Sequence, residues 1–568
     1  MTASQRISAA EYLLARMKAG GIDYVLANSG TDFPPLVEAY ARAAETGIAY
    51  PEALPIAHEG VAMGMAHGHY LVTGRPLAVM VHVNVGLANG SMGVINAASG
   101  HAPVLICSGR TPITESGRFG ARSIPIHWGQ EMRDQGGIVR ESVKWDFELR
   151  YPEQAGLIID RALAIAQSDP PGPVYLSLPR EALGDQCERP DLTAPSRFAT
   201  VRAGAPAQAS IAAAAAILAK AKNPVLIAQS ALDGDDGFAA LANFVDRFAI
   251  PVVEFWSTRN AVSTEHPMHA GREPGPWLAE ADAVIVLDAL VPWVPSQVQL
   301  QPGCKVIGLG ADPLFQRQPI RGFPVDVALA GDAAVAIAAL TQVLADQEAA
   351  MRASVAQRRA AIAARRAAEQ QILATTAAEG SGTPMSPAWV SHCLAQAKDE
   401  NAAIFSELGV DGSYLRVTKP RSLFFHPLSA GLGWALPAAL GAQLADRDRQ
   451  VIACVGDGSY MFANPVACHQ TALAHGLPIL TVIFNNGVWN AVRRATLAMY
   501  PQGRAAELNV MPMTSLDPAP DYAAVARAHG AHAERIGDGA ALPAALERAF
   551  HVMRSERRQA LLELRVSL

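Results

Sequence analysis

Two short polar segments, near residues 457 and 486, each follow an apolar run that has the length and composition of a buried strand. The run 451–455 leads directly into Gly456-Asp457-Gly458-Ser459, and the run 479–484 leads into Asn485-Asn486-Gly487. In a parallel sheet, the loops after neighbouring strands meet at the same edge, where ligands bind. We therefore expect these two segments to converge although they are well separated in the sequence.

The chemistry of these segments suits a divalent metal ion beside a phosphate. The Asp457 carboxylate, the Asn486 amide oxygen and a backbone carbonyl, that of Val488, are hard oxygen ligands of the kind that Mg²⁺ and Ca²⁺ prefer. The N–H groups of Gly458 and Ser459, at the start of a helix, can donate to a phosphate. Either segment alone is typical of an ordinary turn, but the pair at this spacing favours a metal and phosphate site.

The elements that would position this site form three successive blocks of apolar strands and helices, which indicate parallel α/β sheets. Strands are predicted over residues 24–27, 77–83, 104–108, 174–178, 224–228, 252–254, 283–287, 305–309, 403–405, 450–455, 479–484 and 560–566. We predict an α/β chain of three consecutive doubly wound parallel-sheet domains, at residues 1–190, 205–345 and 381–568. The Ala- and Arg-rich segment 346–380 is predicted to be an exposed linker helix.

Composition restricts the class of protein. Half of the 568 residues are hydrophobic and 17% are charged, as in compact globular enzymes. The formal net charge of -6 gives no basic field, so we expect no nucleic-acid partner. The six cysteines form no CxxC pair, no apolar run reaches the ~20 residues of a membrane helix, and Met1 to Tyr12 lacks a signal-peptide core. We expect a cytoplasmic protein with no membrane partner.

The sequence resembles the thiamine-diphosphate (ThDP) enzymes of the acetolactate synthase, pyruvate oxidase and benzoylformate decarboxylase type. Their signature pairs GDG with a later NN, and the resemblance covers the whole chain in the order pyrimidine-binding, middle and diphosphate-binding domain. It implies ThDP as cofactor, bound with Mg²⁺ or Ca²⁺, and it places Gly456 and Asn485 beside the diphosphate as well. It also implies active sites between subunits, and therefore a homodimer or a dimer of dimers.

A second family position is a glutamate that follows a short strand and opens a helix, and Glu59 in Pro55-Ile-Ala-His58-Glu59-Gly60 matches it. The resemblance implies that this carboxyl bonds the aminopyrimidine and drives it to the imino tautomer, so that the cofactor's C2 proton can leave. It also implies that Leu432 wedges beneath the cofactor and that the Ala430 carbonyl accepts from the pyrimidine amino group. The structural alternatives are a helix cap at Glu59 and plain helix-start packing at Leu432.

The residues that would select the reaction resemble different relatives. His82 matches the histidine loop of benzoylformate decarboxylase, and Thr31 falls where that enzyme has a carboxylate-binding serine. A histidine can move a proton near neutral pH, and a threonine hydroxyl can bond a 2-oxo acid. Gln130 lies near the position where acetolactate synthases carry a glutamine that faces the cofactor. For His82 and Thr31 the alternative is a polar residue that closes a strand.

Three further candidates for the substrate pocket are His127, His426 and Trp489. The two histidines lie close to motif residues in the sequence, and Trp489 follows the metal loop, where it can stack on or restrict an acyl group. The second active-site histidine of benzoylformate decarboxylase has no counterpart in residues 290–296. Because no GxGxxG turn follows a strand in the middle block, FAD is slightly disfavoured but stays undecided.

The leading hypothesis is a ThDP- and Mg²⁺-dependent enzyme that decarboxylates a 2-oxo acid and then protonates the acyl unit or joins it to a second carbonyl. One alternative uses the same cofactor to cleave or hydrolyse a C–C bond without releasing CO₂. Another is a non-catalytic nucleotide-binding α/β protein, which Glu59 disfavours because a binding scaffold needs no proton relay. An NAD-dependent dehydrogenase would need a Gly-rich turn with an acidic residue ~20 positions on, and we find none.

Overall fold

Three parallel α/β sheets follow one another along the chain in the computed structural model, which confirms the predicted fold class. The structure describes residues 6–232 and 234–568, so the first five residues of the predicted N-terminal domain, part of the segment compared with a signal peptide, lie outside the described ranges. Among the described residues, no helix is both long and apolar enough to cross a bilayer.

The N-terminal domain is built on six parallel strands and one short antiparallel pair. Its strands are β1 (Arg6–Ser8), β2 (Tyr24–Ala27), β3 (Glu52–Pro55), β4 (Ala78–Val81), β5 (Leu105–Arg110), β6 (Asp146–Glu148), β7 (Val174–Pro179) and β8 (Gln186–Glu188). Its helices are α1 (Ala9–Ala19), α2 (Pro34–Ala41), α3 (Ala43–Thr46), α4 (Glu59–Thr73), α5 (Val83–Ser99), α6 (Ile126–Gly129), α7 (Ala155–Gln167) and α8 (Arg180–Gly184). The sheet order is β3-β2-β4-β5-β7-β6, with β1 paired to β8. Because β2 and β4 are neighbours, the loops that carry Thr31 and His82 leave the sheet side by side.

The middle domain has five parallel strands, which lie in the sheet in the order β10-β9-β11-β12-β13. The strands are β9 (Pro224–Ala228), β10 (Val252–Val253), β11 (Ala283–Leu287), β12 (Lys305–Gly310) and β13 (Val327–Ala330). The helices are α9 (Gln208–Lys220), α10 (Gly234–Phe248), α11 (Gly275–Leu278), α12 (Ala333–Ala345) and the long, largely exposed α13 (Glu348–Glu379). The guanidinium of Arg358 in α13 donates to the Ala221, Phe248 and Ala249 carbonyls, which fastens this helix to the middle domain.

The C-terminal domain has six parallel strands. They are β14 (Ala403–Glu407), β15 (Leu423–Phe425), β16 (Val451–Gly456), β17 (Leu480–Asn485), β18 (His532–Ile536) and β19 (Ala560–Arg565). The helices are α14 (Pro387–Ala397), α15 (Ala435–Ala445), α16 (Asp457–Phe462), α17 (Pro465–His475), α18 (Asn490–Met499), α19 (Arg504–Leu508), α20 (Tyr522–Arg527) and α21 (Leu542–His551). The order β15-β14-β16-β17-β19-β18 makes β16 and β17 direct neighbours, so the segments after them share one edge.

Alternate residues of the central strands enter different hydrophobic clusters. In β4, Val79 and Val81 pack on one side of the sheet, whereas Ala78 and Met80 pack on the other. Such two-sided burial explains why these strands read as continuous apolar runs rather than as alternating ones. The cluster on one side is shared by the N- and C-terminal sheets, which therefore form a single packed unit.

Helices α4 and α15 form the closest contact between these two domains. A Cβ atom at Gly68 would lie 1.9 Å from the Ala438 carbonyl oxygen, and one at Gly441 would lie 1.9 Å from the Met65 carbonyl oxygen. Only glycine permits such backbone contact at both positions. The packing sets the orientation of the helix that begins at Glu59 relative to the segment that leads into α15.

Candidate active site

The two polar segments predicted to converge do meet at the carboxyl edge of the C-terminal sheet. Strand β16 ends at Gly456, and Asp457 opens α16 with only 3% of its surface exposed. One carboxylate oxygen of Asp457 accepts from the Gly458 N–H at 2.9 Å, and the other accepts from the Gly487 N–H at 2.7 Å. Asp457 therefore joins the loop after β16 to the loop after β17.

The asparagine pair after β17 divides into one inward and one loop-directed side chain. Asn485 is buried, and its amide donates to the Glu563 carboxylate in β19 at 2.9 Å. The Asn486 amide oxygen accepts from the Val488 N–H at 3.1 Å, and the Val488 carbonyl accepts from the Asn490 N–H at 2.8 Å. A metal at this loop would therefore use the second lone pair of each oxygen.

The edge around Asp457 has the chemistry that a metal-bound diphosphate requires. The buried Ser459 hydroxyl oxygen has no hydrogen-bond partner in the described part of the chain, and such an atom is expected to bond to a water molecule or a ligand. The Trp489 ring covers Gly458 so closely that a Cβ there would lie 2.1 Å from it. Burial raises the pKa of the Asp457 carboxyl, a cost that a bound cation would offset.

A metal here would depend mainly on neutral oxygens. Among residues 6–232 and 234–568, no group of three or more His, Cys, Asp and Glu side chains is placed to hold a metal ion. One carboxylate with an amide oxygen and a carbonyl leaves coordination positions open, as expected when phosphate oxygens and water complete the shell of Mg²⁺. The residues present therefore fit a metal bound together with a diphosphate.

The segment that carries Ala430 is held by a residue of the N-terminal domain. Asn96, 2% exposed in α5, donates to the Gly431 carbonyl at 2.8 Å and accepts from the Gly431 N–H at 3.1 Å. It also accepts from the Ser429 hydroxyl at 2.8 Å. Ala430, exposed and with φ of 51°, lies between these two contacts. This positive φ, unusual for a residue with a side chain, is stabilised by a tertiary anchor.

A buried carboxylate holds the other end of the same bend. Glu407, at the end of β14, accepts from the N–H groups of Gly433, Trp434 and Ala435 at 2.6 to 2.8 Å. These are the orphan donors at the start of α15, and a carboxylate is favoured there. Burial raises the pKa of the Glu407 carboxyl, although the three hydrogen bonds act to lower it. Leu432, half-buried, is thus fixed between the Asn96 and Glu407 anchors.

Glu59 is the first residue of α4, but it is not the helix cap. The cap is His58, whose ring accepts from the Gly60 N–H at 3.0 Å. The half-buried Glu59 carboxylate instead accepts from the Asn89 amide of α5 at 2.6 Å. A Cβ at Gly86 would lie 3.2 Å from the other oxygen, so that oxygen faces the glycine side of α5. His58, and not Glu59, therefore caps helix α4.

His82 belongs to a polar cluster with a member that the sequence analysis missed. Its Nδ1 lies 2.5 Å from the carboxylate of Asp32, and its Nε2 lies 3.1 Å from the Gln130 amide nitrogen. The hydrogen bond to Asp32 raises the pKa of His82. Asp32 is 3% exposed and directly follows Thr31. The presence of two adjacent polar residues after β2 was the sequence feature that could have identified Asp32 as a site residue. A Cβ at Gly30 would lie 2.0 Å from Nδ1, which leaves no room for a larger residue.

Three of the predicted substrate residues line one narrow crevice beside this cluster. Thr31, His127 and Gln130 surround it together with Arg180, whose guanidinium donates to the Thr31 carbonyl at 3.3 Å. The Thr31 side chain is exposed, whereas His127 is 2% exposed, and burial lowers the pKa of its ring. The crevice thus contains an exposed hydroxyl, a guanidinium, and a Gln130 amide oxygen that has no hydrogen-bond partner among the described residues.

The other two candidates lie elsewhere. The His426 ring contacts the Pro427 carbonyl at 3.1 Å and packs edge-on to Trp256 of the middle domain, with centroids 6.1 Å apart. Trp489 lies over Gly458, in the loop after β16. Within one chain, the structure therefore brings neither His426 nor Trp489 to the crevice beside His82.

Comparison with known proteins identifies the same three domains. Family models for the thiamine pyrophosphate enzymes match residues 7–138 (N-terminal TPP binding domain), 211–340 (central domain) and 410–564 (C-terminal TPP binding domain). Together they cover most of the chain and include both polar segments of the C-terminal edge and the helix that begins at Glu59.

Full-length relatives give the same assignment. The acetolactate synthase large subunit of Mycobacterium tuberculosis is 28% identical over 96% of this chain and 94% of its own. Benzoylformate decarboxylase of Pseudomonas aeruginosa is 27% identical over 87% and 88%. The solved 4-hydroxybenzoylformate decarboxylase of Rhodococcus jostii shares the fold, with a TM-score of 0.77 at 20% identity over 99% of both chains. This chain belongs to the thiamine pyrophosphate enzyme family, with relatives among both acetolactate synthases and benzoylformate decarboxylases.

Proposed function

We propose that this enzyme uses ThDP and Mg²⁺ to release CO₂ from a 2-oxo acid, and that it then protonates the remaining acyl unit or transfers it to a second carbonyl. The observation that carries the proposal is the Asp457–Gly487 hydrogen bond, which joins the two motif loops beside the unpartnered Ser459 hydroxyl. The relatives, a synthase and a decarboxylase by name, support both fates of the acyl unit.

Each cofactor residue has a specific role in this proposal. Asp457, Asn486 and the Val488 carbonyl would hold the metal, and the N–H groups that open α16 would bind the diphosphate. When bound, ThDP supplies a nucleophilic carbon and an electron sink. Glu59 bonds the pyrimidine, while the bend held by Asn96 and Glu407 presents the Ala430 carbonyl and the Leu432 side chain. Binding of FAD by the middle domain stays an undecided prediction.

The crevice residues supply the reaction chemistry in this proposal. The exposed Thr31 hydroxyl donates to the substrate carboxylate, and the His82 imidazole transfers a proton to or from the reacting acyl unit. Gln130, with its buried amide oxygen unpaired, orients the histidine or a substrate carbonyl. His127 closes the crevice as a neutral ring, because burial lowers its pKa.

We further propose a homodimer or a dimer of dimers. Large apolar side chains are exposed on α5 and around α16 and α17, among them Ile95 (47%), Phe462 (50%) and Leu473 (61%). These helices adjoin Glu59 and Gly458, so a second chain that covers them would also enclose the cofactor site. Analytical ultracentrifugation is expected to show at least a dimer, and an active cofactor-loaded monomer would contradict this.

The compartment belongs to the same proposal. The six cysteine thiols are free, and five of them are buried. Unpaired buried thiols are typical of proteins from a reducing compartment, so we place the enzyme in the cytoplasm. Fractionation of cells that express the untagged chain at natural levels would test the location.

The decisive experiment is a substrate panel. Purified protein with ThDP and Mg²⁺ is incubated with aryl and aliphatic 2-oxo acids, CO₂ is measured, and products are identified by mass spectrometry. We expect CO₂ with an aldehyde or a hydroxyketone, both abolished by a chelator. Turnover of a diketone or hydroxyketone without CO₂ would instead establish the non-decarboxylating lyase or hydrolase, and no turnover of either class would refute the proposal.

A further inference from the structure

We propose that Asp32 is a positioning residue for His82: it keeps the proton on Nδ1 and leaves Nε2 as the atom that gains and loses a proton during the reaction. This inference rests on the proton-transfer role proposed above for His82. It concerns the state of the ring, which can be measured without cofactor or substrate.

The geometry determines the tautomer of the histidine. An ionised carboxylate only accepts hydrogen bonds, so the 2.5 Å contact requires Nδ1 to carry a proton. The second Asp32 oxygen accepts from the Val83 N–H at 3.3 Å, which orients the carboxylate towards the ring. The pair is confined sterically as well, since a Cβ at Gly109 would lie 1.6 Å from Asp32 Oδ2. The His82 ring lies against Gly30 in the same way, so both partners pack directly on glycine backbone.

Gln130 can accommodate both protonation states at the other nitrogen. With its amide nitrogen 3.1 Å from Nε2, it donates to a neutral ring. Its amide oxygen is buried without a partner among the described residues. Rotation of the amide by half a turn, a change in which oxygen and nitrogen exchange places, lets that oxygen accept from Nε2–H of the charged ring. The ring therefore keeps its orientation in both states.

Charges around the pair favour the protonated ring. Asp32 and Glu59 are the acidic groups that act on His82, and burial opposes them. The cations at the crevice are Arg110, which is neutralised by ion pairs to two glutamates, and Arg180, which donates only to backbone carbonyls. His127 also lines the crevice, and burial lowers the pKa of its ring. Asp32 is thus the acidic group in direct contact with the ring.

The test is the pH dependence of His82 acylation by diethyl pyrocarbonate, followed by peptide mass spectrometry in the full-length chain. This reagent attacks the neutral imidazole, and 17% of the His82 side chain is exposed. In Asp32→Asn we expect the midpoint to move to lower pH, because the substitution removes the charge that stabilises the imidazolium. Asp134→Asn, an exposed aspartate of the same domain paired with Arg140, is the matched control and should leave the midpoint unchanged.

An unchanged midpoint in Asp32→Asn would overturn the inference. If that variant does not fold, ¹⁵N NMR of the His82 ring in the wild-type chain provides the second test, because the contact to Asp32 requires the Nδ1–H tautomer of the neutral ring, and an Nε2–H tautomer would overturn the inference equally. In the active enzyme we expect Asp32→Asn to lower kcat about 10- to 100-fold with little change in KM. A shifted midpoint in a protein that releases CO₂ from no 2-oxo acid would refute the proposed function but leave the role of Asp32 intact.

Discussion

Two regions of the molecule are built in different ways. One consists of the loops after β16 and β17, which we propose bind the diphosphate and which we call the diphosphate loops. The other is the crevice lined by Thr31, His127 and Gln130 beside His82, which we call the His82 crevice. The loops leave two adjacent strands, β16 and β17, and are joined by backbone N–H bonds to one carboxylate, Asp457. The crevice draws on the ends of β2, β4, β5 and β7, and it is held by contacts between side chains, such as His82 with Asp32 and Gln130. The first site needs two short motifs, whereas the second needs four strands of the N-terminal sheet in register.

This difference indicates which part of the site tolerates substitutions and which part depends on individual side chains. Backbone donors do not depend on which side chain a residue carries, so we expect the diphosphate loops to tolerate side-chain changes as long as their glycines remain. A crevice assembled from side chains changes with single substitutions. The choice of substrate is therefore expected to reside near His82, and activation of the cofactor near Glu59 and Asp457.

The largest effect is expected at Glu59, the residue that we propose activates the cofactor. Glu59→Gln removes the acidic proton but keeps the shape, so hydrogen–deuterium exchange at C2 of bound ThDP should slow by about 10²- to 10⁴-fold. NMR of acid-quenched samples measures this exchange. Mg²⁺-dependent cofactor binding should persist, and Glu45→Gln, at an exposed position of α3, should match the wild type. Unchanged exchange in Glu59→Gln would remove the assigned role.

A second large effect separates the two regions directly. Asp457→Ala removes both the proposed metal ligand and the hydrogen bond to the loop after β17, so we expect Mg²⁺-dependent ThDP affinity to fall at least ~100-fold by fluorescence titration. The modification midpoint of His82 should not move, since that site is independent. Asp448→Ala, whose side chain is 97% exposed, is the matched control. Full ThDP affinity of Asp457→Ala in the presence of a chelator would contradict the metal site.

The position of a strand in its sheet explains whether it could be predicted from the sequence. Central strands such as β4, β11 and β16 are buried on both faces, so they read as apolar runs and were placed within two residues at each end. The strands that the sequence analysis missed include β6, β13, β15 and β18, all at the edges of their sheets. Edge strands pack on fewer neighbours, and β13 and β18 are largely half-buried or exposed, so their composition carries little signal.

The candidate site was predictable to the extent that its residues are contiguous. Asp457 and Asn486 stand in motifs directly after strands, and the structure brings their loops together. Asp32, Asn96 and Glu407 were missed, because each acts through a partner that is distant in the sequence. Asn96, for example, lies more than three hundred positions from the segment it holds. A single sequence contains no record of such pairs, so only the folded chain reveals them.

Asn96 joins α5 of the N-terminal domain to the bend that carries Ala430, and its removal should have an intermediate effect. Asn96→Ala leaves the Gly431 groups and the Ser429 hydroxyl without their buried partner, at a cost of about 1–3 kcal/mol. We expect the apparent ThDP affinity to fall roughly tenfold, since that cost displaces the bend that presents Ala430. Asn401→Ala, at an exposed position, is the control. Unaltered affinity would show that the bend is held without its N-terminal anchor.

The smallest effect decides to which region Trp489 belongs. The sequence placed it in the substrate pocket, but its ring covers Gly458 and meets Phe462 edge-on at 5.7 Å. In Trp489→Ala we therefore expect KM for ThDP to rise a few-fold, roughly the loss of one aromatic contact, while the order of preference among 2-oxo acids stays the same. Trp128→Ala, an exposed tryptophan of the N-terminal domain, controls for general loss of aromatic surface. A shift of about tenfold towards bulkier acids in kcat/KM, with unchanged KM for ThDP, would instead assign Trp489 to substrate selection. In that case, the residues that select the substrate would extend beyond the N-terminal sheet, and the separation of the two regions would be incomplete.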